Sequence, residues 1–152
     1  MKTLYLAQVG RQLFAVDKER VVGVGMCSDD KPMEAEGGRY LILPRGIRAV
    51  ICDMQTLMTG YGRVVTPKRH YLIVSHDSQL MGLTMSGKGR IITADVAAAS
   101  PLPPAFVGQA RALVPGVLVN GIDLILLLDL QAVLETTVGQ HREPDAECKS
   151  TS

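Results

Sequence analysis

Short apolar stretches separated by small polar breaks run along most of the chain. Leu4 to Val9 and Leu13 to Val16 flank a break at Gly10-Arg11, and Val21 to Met26 is a further apolar stretch. Short runs of this kind, punctuated by glycine, are typical of strands joined by tight turns. The pattern therefore predicts a hairpin over residues 4–16, another strand over residues 21–26, and little long helix.

The remainder of the first half continues this pattern and ends with a change of period. Ser28 to Gly38 is polar and contains proline and paired glycines, so it is predicted to be a loop. Tyr40 to Leu43 and Ile47 to Cys52 are predicted strands. Asp53 to Met58 then indicates a short helical turn with Asp53 as its N-cap.

The second half repeats the order of the first. His70 to Val74 and Gln79 to Leu83 predict another hairpin, and Tyr-Leu followed by Gln-Leu occurs in both opening hairpins. The segment Asp53 to Met58 aligns without a gap with Asp129 to Leu134, and each follows an apolar strand that begins with Gly-Ile. Two matches in the same order indicate an internal repeat, and many short strands indicate small barrels.

The Asn120-Gly121 pair is the strongest local hairpin signal in the chain, because it lies between two apolar stretches. The segment Ser86 to Arg90 resembles a phosphate loop only superficially. It lacks the Walker A spacing and is followed by an apolar stretch that indicates a strand. We therefore interpret Ser86 to Arg90 as a hairpin turn.

Composition narrows the possible functions. The chain has 152 residues with 16 Lys+Arg against 15 Asp+Glu, so no basic field is present to recruit nucleic acid or an anionic membrane. Residues are 47% hydrophobic but only 4% aromatic, which predicts an aliphatic core. The three cysteines are widely spaced and indicate neither a disulfide framework nor a zinc site. We expect a cytoplasmic protein with no membrane-inserted segment.

Candidate catalytic groups do not form a recognisable pattern. Asp53 and Asp129 each follow a strand and are interpreted as helix caps rather than as paired catalytic carboxylates. His70, His76 and His141 are scattered and share no metal-ligand spacing. A small enzyme on a barrel scaffold would need clustered ionisable groups. No catalytic residue, metal or cofactor is therefore predicted.

Several segments resemble the CheW-like family of chemosensory coupling proteins. Pro115 to Gly121 followed by Leu124 to Leu130 resembles the closing hairpin and helix start of CheW-like domains. Arg45-Gly46, followed after six residues by Asp53, resembles the family's Arg-Gly strand turn and its exit to a helix. The resemblance covers residues 4–135, with departures at Leu43-Pro44 and Met85-Ser86, where the family has Asn-Leu and Val-Asp.

The resemblance implies an all-β fold of two packed, five-stranded SH3-like barrels with short helical turns and a C-terminal helix. Residues 1–136 would form one domain, with subdomain one at about 15–66 plus swapped terminal elements and subdomain two at about 67–120. The polar residues 137–152 are predicted to form a disordered tail.

The resemblance also implies a non-enzymatic adaptor that couples methyl-accepting chemoreceptors to the regulatory domain of a CheA-type histidine kinase. The partner-binding residues it implies are Arg45, Leu43, Gly46, Val22 and Val24. Gly46 is interpreted as a structural turn residue as well, because a tight turn needs its permissive φ angle. The alternative is a divergent CheW-like module that serves another signalling pathway or associates with itself as a homo-oligomer.

Overall fold

The computed structural model describes residues 1–28, 34–36, 39–59, 68–87, 89–103 and 109–139. Its strands are β1 (Lys2–Val9), β2 (Gln12–Asp17), β3 (Val21–Ser28), β4 (Glu34–Ala35), β5 (Tyr40–Ile42), β6 (Arg48–Cys52), β7 (Lys68–His76), β8 (Gln79–Met85), β9 (Arg90–Ala94), β10 (Gly116–Asn120) and β11 (Asp123–Leu127). Its helices are α1 (Met54–Thr59), α2 (Gln109–Leu113) and α3 at residues 130–139. Short 3-10 turns lie at Lys18–Arg20, Pro44–Gly46 and Val96–Ala98.

The predicted hairpins are confirmed, and each closes with a two-residue turn. Val9 pairs with Gln12 across Gly10-Arg11, and Asn120 pairs with Asp123 across Gly121-Ile122. In both, a glycine with positive φ (59° and 66°) occupies the first turn position, as a type II′ turn requires. Asp77 and Ser78 both have positive φ in the β7–β8 turn, which is the type I′ requirement.

The strands form two curled sheets, which confirms the predicted all-β architecture of two barrels. We call the sheet ordered β10-β11-β2-β1-β9 the terminal barrel, and the sheet ordered β3-β7-β8-β6-β5-β4 the central barrel. In the central barrel, β6 runs parallel to β8, so a strand from the first half of the chain joins the hairpin of the second half. In the terminal barrel, β11 runs parallel to β2, so the opposite exchange occurs there.

The two exchanged pairings have the same register, which confirms the internal repeat. Val50 pairs with Met81 in the central barrel, and Leu126 pairs with Phe14 in the terminal barrel. These pairs occupy equivalent positions when Gln12-Leu13 is aligned with Gln79-Leu80 and Asp53 with Asp129. The Asp caps are also confirmed: the Oδ1 atoms of Asp53 and Asp129 accept the backbone N–H groups of Thr56 and Ala132 at 3.3 and 3.2 Å.

The prediction of a hairpin turn at residues 86–90 is wrong. The segment carries the chain from one sheet to the other, because β9 pairs with β1 and not with β8. A Cβ atom at Gly89 would lie 2.3 Å from the backbone oxygen of Leu6. The glycine therefore permits a close approach between two backbones, which sequence spacing alone does not distinguish from a turn.

The described residues form three apolar cores. The largest lies between the barrels, and it is built from the outward faces of both sheets together with α1, α2 and α3. Two smaller cores fill the barrels themselves. The central barrel encloses Cys27, Leu41, Ala49, Ile51, Tyr71 and Ile73, and the terminal barrel encloses Leu4, Leu6, Ala15, Leu118 and Ile125. Most strands are therefore apolar on both faces, which explains their near-continuous hydrophobic runs.

The predicted loop at Ser28 to Gly38 contains a short strand, because β4 pairs with β5 through Glu34–Leu41 and Ala35–Tyr40. Residues 29–33 and 37–38 of that segment lie outside the described residues. The sheets do not divide the chain at residue 66, since hairpin β7–β8 pairs with β3 and β6. The predicted boundaries of the two subdomains stay a prediction. Helix α3 reaches residue 139, and most of the predicted tail lies beyond the described part.

Candidate protein-interaction surface

The apolar outer face of the central barrel continues past the point where other elements cover it. On β7, Leu72 and Val74 are buried in the core between the barrels. Val24 on the neighbouring strand β3 pairs with Leu72, and because paired residues share a face, Val24 continues that face. Val22, Val24 and Met26 are nevertheless 61%, 46% and 52% exposed. We call these three residues the β3 patch.

The terminal barrel has an equivalent edge strand with different chemistry. Strand β9 pairs with β1, and Ile91 lies opposite Tyr5 on the outward face. Ile91 is 54% exposed, but its neighbours Arg90 and Thr93 are exposed and polar. Both edge strands therefore lie beside the core between the barrels. Of the two, only β3 presents exposed side chains that are all apolar.

The predicted site residues fall into two separate groups. Val22 and Val24 lie on β3, whereas Leu43, Arg45 and Gly46 lie at the turn between β5 and β6. Strands β7 and β8 separate β3 from β6 within the sheet. The structure thus places both groups on the central barrel but does not join them into one pocket. Their role in partner binding stays a prediction.

Arg45 is presented by a tight and strained loop. The Leu43 backbone N–H donates to the Ile47 oxygen at 2.7 Å, and the Gly46 N–H donates to the Leu43 oxygen at 3.1 Å. Arg45 and Gly46 both have positive φ angles, 68° and 74°. Glycine adopts this region freely, while for an L-residue with a Cβ atom it costs about 1 kcal/mol or more. Arg45 is exposed and makes no ion pair with any described residue.

Sequence reasoning missed some exposed apolar residues. Met26, Ile47, Ile91 and Ile122 are all exposed, although the hydrophobic pattern assigns such residues to the aliphatic core. Alternation along Val22, Val24 and Met26 is the signal that marks the β3 patch. That alternation is compatible with a buried face too, so exposure follows only from the packing.

A partly buried ionic cluster lies where the central barrel closes. The Arg69 guanidinium donates to the Glu34 carboxylate at 2.9 Å, with both side chains only about one-sixth exposed (15% and 16%). The Tyr71 hydroxyl donates to the same carboxylate oxygen, and Arg69 contacts the Cys27 sulfur at 3.7 Å. Burial disfavours the charged guanidinium, yet Glu34 and these hydrogen bonds raise the pKa of Arg69. The cluster ties β4 to β7, which is a structural role.

The Cys52 thiol is fully buried. Burial raises the pKa of the Cys52 thiol to about 12, so the thiol stays protonated near neutral pH. No group of three or more potential metal ligands occurs among the residues whose positions are described. Within the same ranges, no helix is long and apolar enough to cross a membrane.

Comparison with known proteins supports the fold. No protein-family model matches the sequence, and no curated protein matches it. Among solved structures, the chain is similar to the scaffolding protein TtCheW from Thermoanaerobacter tengcongensis, with a TM-score of 0.67 and 20% sequence identity. The match covers 85% of this chain and 84% of that chain. The chain therefore has the CheW-like fold of two packed barrels that its sequence resemblance predicted.

Proposed function

We propose that this protein is a non-enzymatic adaptor that couples chemoreceptors to a CheA-type histidine kinase in the bacterial cytoplasm. The observation that carries the proposal is the β3 patch, an uncovered extension of the core between the barrels, in a fold shared with a scaffolding protein. An exposed row of apolar side chains of this kind is typical of a protein-binding site. No cofactor is required for such a role.

The two groups of predicted site residues suit two kinds of contact. The β3 patch offers aliphatic side chains that lose water on binding, which favours an apolar partner face. Arg45 offers a planar fork of donors on a hydrogen-bonded turn, which suits a carboxylate on a partner helix. We assign the β3 patch and the Leu43–Gly46 turn as the surfaces that contact kinase and receptor.

The first test is calorimetric titration of the purified protein with the regulatory domain of the CheA-type kinase from the same organism. A saturable complex with micromolar or tighter affinity is expected. Val24→Lys places an ammonium in the β3 patch and is expected to weaken binding by about ten-fold or more, since a charge in an apolar interface must be desolvated.

Val119→Lys is the matched control, because Val119 is 71% exposed but lies on strand β10 of the terminal barrel. It is expected to leave the affinity unchanged. Absence of binding at high concentration, with circular dichroism showing a folded protein, would reject the coupling role. Equal losses in both variants would reject the assignment of the β3 patch.

The second candidate is a divergent CheW-like module that acts in another signalling pathway. It is favoured by the loop Leu43-Pro44-Arg45, which departs from the family's Asn-Leu-Arg pattern at the predicted partner contact. Titration of the signalling tip of a receptor against wild type and Arg45→Glu distinguishes the two candidates. Binding that Arg45→Glu abolishes supports coupling, and absence of receptor binding supports the divergent module.

A further inference from the structure

We propose that two copies of this chain associate by pairing the outer edges of their β3 strands, antiparallel, into one continuous sheet. Strand β3 stands at the end of the central sheet and pairs only with β7 among the described strands. Over residues 22–26, its other edge therefore presents backbone N–H and C=O groups to an incoming strand.

Over residues 22–26, the outer edge of β3 is partly exposed and pairs with no described strand. Gly23 and Gly25 alternate with the β3 patch and are each partly exposed. A Cβ atom at Gly23 would meet nothing within 4 Å, so the described residues do not pack against that face of the strand either. The register against β7 shifts between Val21 and Gly23, which twists only the first residues of the strand.

The four edge strands of the described sheets differ in how they are protected against pairing. Strand β4 has only two residues, and β10 is bridged by Ser100 through hydrogen bonds to Val117 at 2.9 and 2.8 Å. Strand β9 begins with an exposed arginine, Arg90. Strand β3 is eight residues long and contains no charged residue. Short length, coverage and charge are the usual defences of an edge, and among the described residues none of the three protects residues 22–26 of β3.

A second copy is the partner that this edge fits. Antiparallel pairing of a strand with its own copy places each side chain opposite one from the same strand, so a charged side chain would lie near its copy or lose water in the interface. An uncharged strand avoids both costs, and the net charge of +1 adds little between whole molecules. Self-pairing of β9 would bring one arginine, Arg90, from each copy into the interface.

The most favourable register has its two-fold axis at Val24. Val24 then faces Val24 of the second copy, and Val22 faces Met26 of the second copy. A two-fold axis perpendicular to the sheet keeps both outward faces on the same side. The dimer would therefore join two β3 patches into one apolar surface, whichever protein partner that surface serves.

Disulfide trapping tests this register. The chain carrying Cys148→Ser retains Cys27 and Cys52, which are buried, and is oxidised with glutathione disulfide after adding Val24→Cys or Val22→Cys. In the Val24→Cys dimer, the two introduced thiols would face each other across the axis, within reach of a disulfide. In the Val22→Cys dimer, the introduced thiols would be separated by about four positions along the strand, roughly 13 Å, which a disulfide cannot span.

We expect Val24→Cys to form covalent dimers about ten-fold faster than Val22→Cys, although Val22 is the more exposed of the two residues. Sedimentation of the unmodified chain over a concentration series should show reversible dimerisation that Val24→Lys abolishes. Equal trapping of both variants would indicate contact through the apolar face and overturn the edge-paired dimer, as would a chain that stays monomeric at all concentrations.

This inference does not rest on the coupling role, and the two fail separately. A chain that dimerises but binds no kinase refutes only the proposed function. A monomer that binds kinase refutes only the β3–β3 pairing. Val119→Cys, on the exposed part of β10, measures the rate of random collision between surface thiols.

Discussion

The two barrels share the same strand connections but differ in the side chains at their closure. The terminal barrel pairs Ser100 with Val117 through backbone hydrogen bonds, and the central barrel has the corresponding backbone pairing of Glu34 with Leu41. The central barrel adds the ionic cluster of Glu34, Arg69 and Tyr71. Their edge strands differ too, since β9 begins with Arg90 and β3 is entirely uncharged. The shared strand pairing thus determines neither which side chains stabilise the closure of a barrel nor which edge strand is uncharged.

The difference has a physical origin. Backbone pairing depends on twist and spacing, which both halves of the repeat share through equivalent registers. Closure and surface chemistry depend on individual side chains, which have diverged between the halves. Function can therefore concentrate on one barrel while the other keeps the scaffold stable.

The largest expected effect is on the closure of the central barrel. Glu34→Ala removes the acceptor that Arg69 and Tyr71 share, so two largely buried donors lose a partner. We expect the free energy of unfolding to fall by about 2–3 kcal/mol. Urea denaturation followed by circular dichroism measures it.

Glu36→Ala is the matched control, because Glu36 pairs with Arg48 at the surface with both side chains about half exposed. We expect a loss below about 0.5 kcal/mol. Similar losses for the two variants would show that the Glu34 cluster does not seal the barrel.

The next expected effect is a loss of folding stability at alkaline pH. It comes from Cys52, which precedes the helix cap Asp53, whereas the equivalent residue before Asp129 is Leu128, which does not titrate. The Cys52 thiol has a pKa of about 12 in the folded chain. An unfolded cysteine ionises near pH ~8.5, so above that pH the unfolded state loses a proton that the folded state keeps. Folding stability should therefore fall by up to about 1.4 kcal/mol per pH unit until the folded pKa is reached.

Urea denaturation at pH 8 and at higher pH values, with Cys52→Ala beside wild type, isolates this thiol. The alkaline loss of stability should be smaller in Cys52→Ala, because Cys27 and the other titrating groups are the same in both chains. Parallel pH profiles for the two proteins would contradict the assignment to Cys52.

The smallest expected effect is the loss of a helix cap, and it tests a feature that the two halves of the repeat share. Asp53→Ala and Asp129→Ala each remove one side-chain acceptor at a helix start, so each should cost about 1 kcal/mol of unfolding free energy. Asp→Asn at either position keeps the acceptor and should cost much less. Strongly unequal losses would show that the two strand–helix units are not energetically equivalent.

Much of the fold could be predicted from local sequence signals. Gly10 and Gly121 mark turns that need positive φ, and Asp53 and Asp129 mark helix starts, because both effects act over a few residues. The internal repeat predicted paired barrels. The segment around Gly89 was predicted wrongly, since its glycine serves a contact with Leu6, which is remote in sequence.

The candidate surface was predictable only in part. Val22, Val24 and Arg45 were named from the resemblance, but Met26 and Ile91 have the same apolar character as core residues. The hydrophobic pattern identifies the strands and the faces that can be buried. Whether a face is covered depends on elements distant in the chain, such as β7 beside β3 and β11 beside β2.

The sequence by itself determined the strands, the tight turns, the helix caps and the two-fold repetition of this protein, because these depend on interactions between near neighbours. The tertiary structure decided which strands exchange between the halves, how each barrel closes, and that β3 is left with an apolar face and an open edge. Those outcomes depend on pairing between strands that are distant in the chain and on which apolar faces the remote elements bury. No local pattern encodes either.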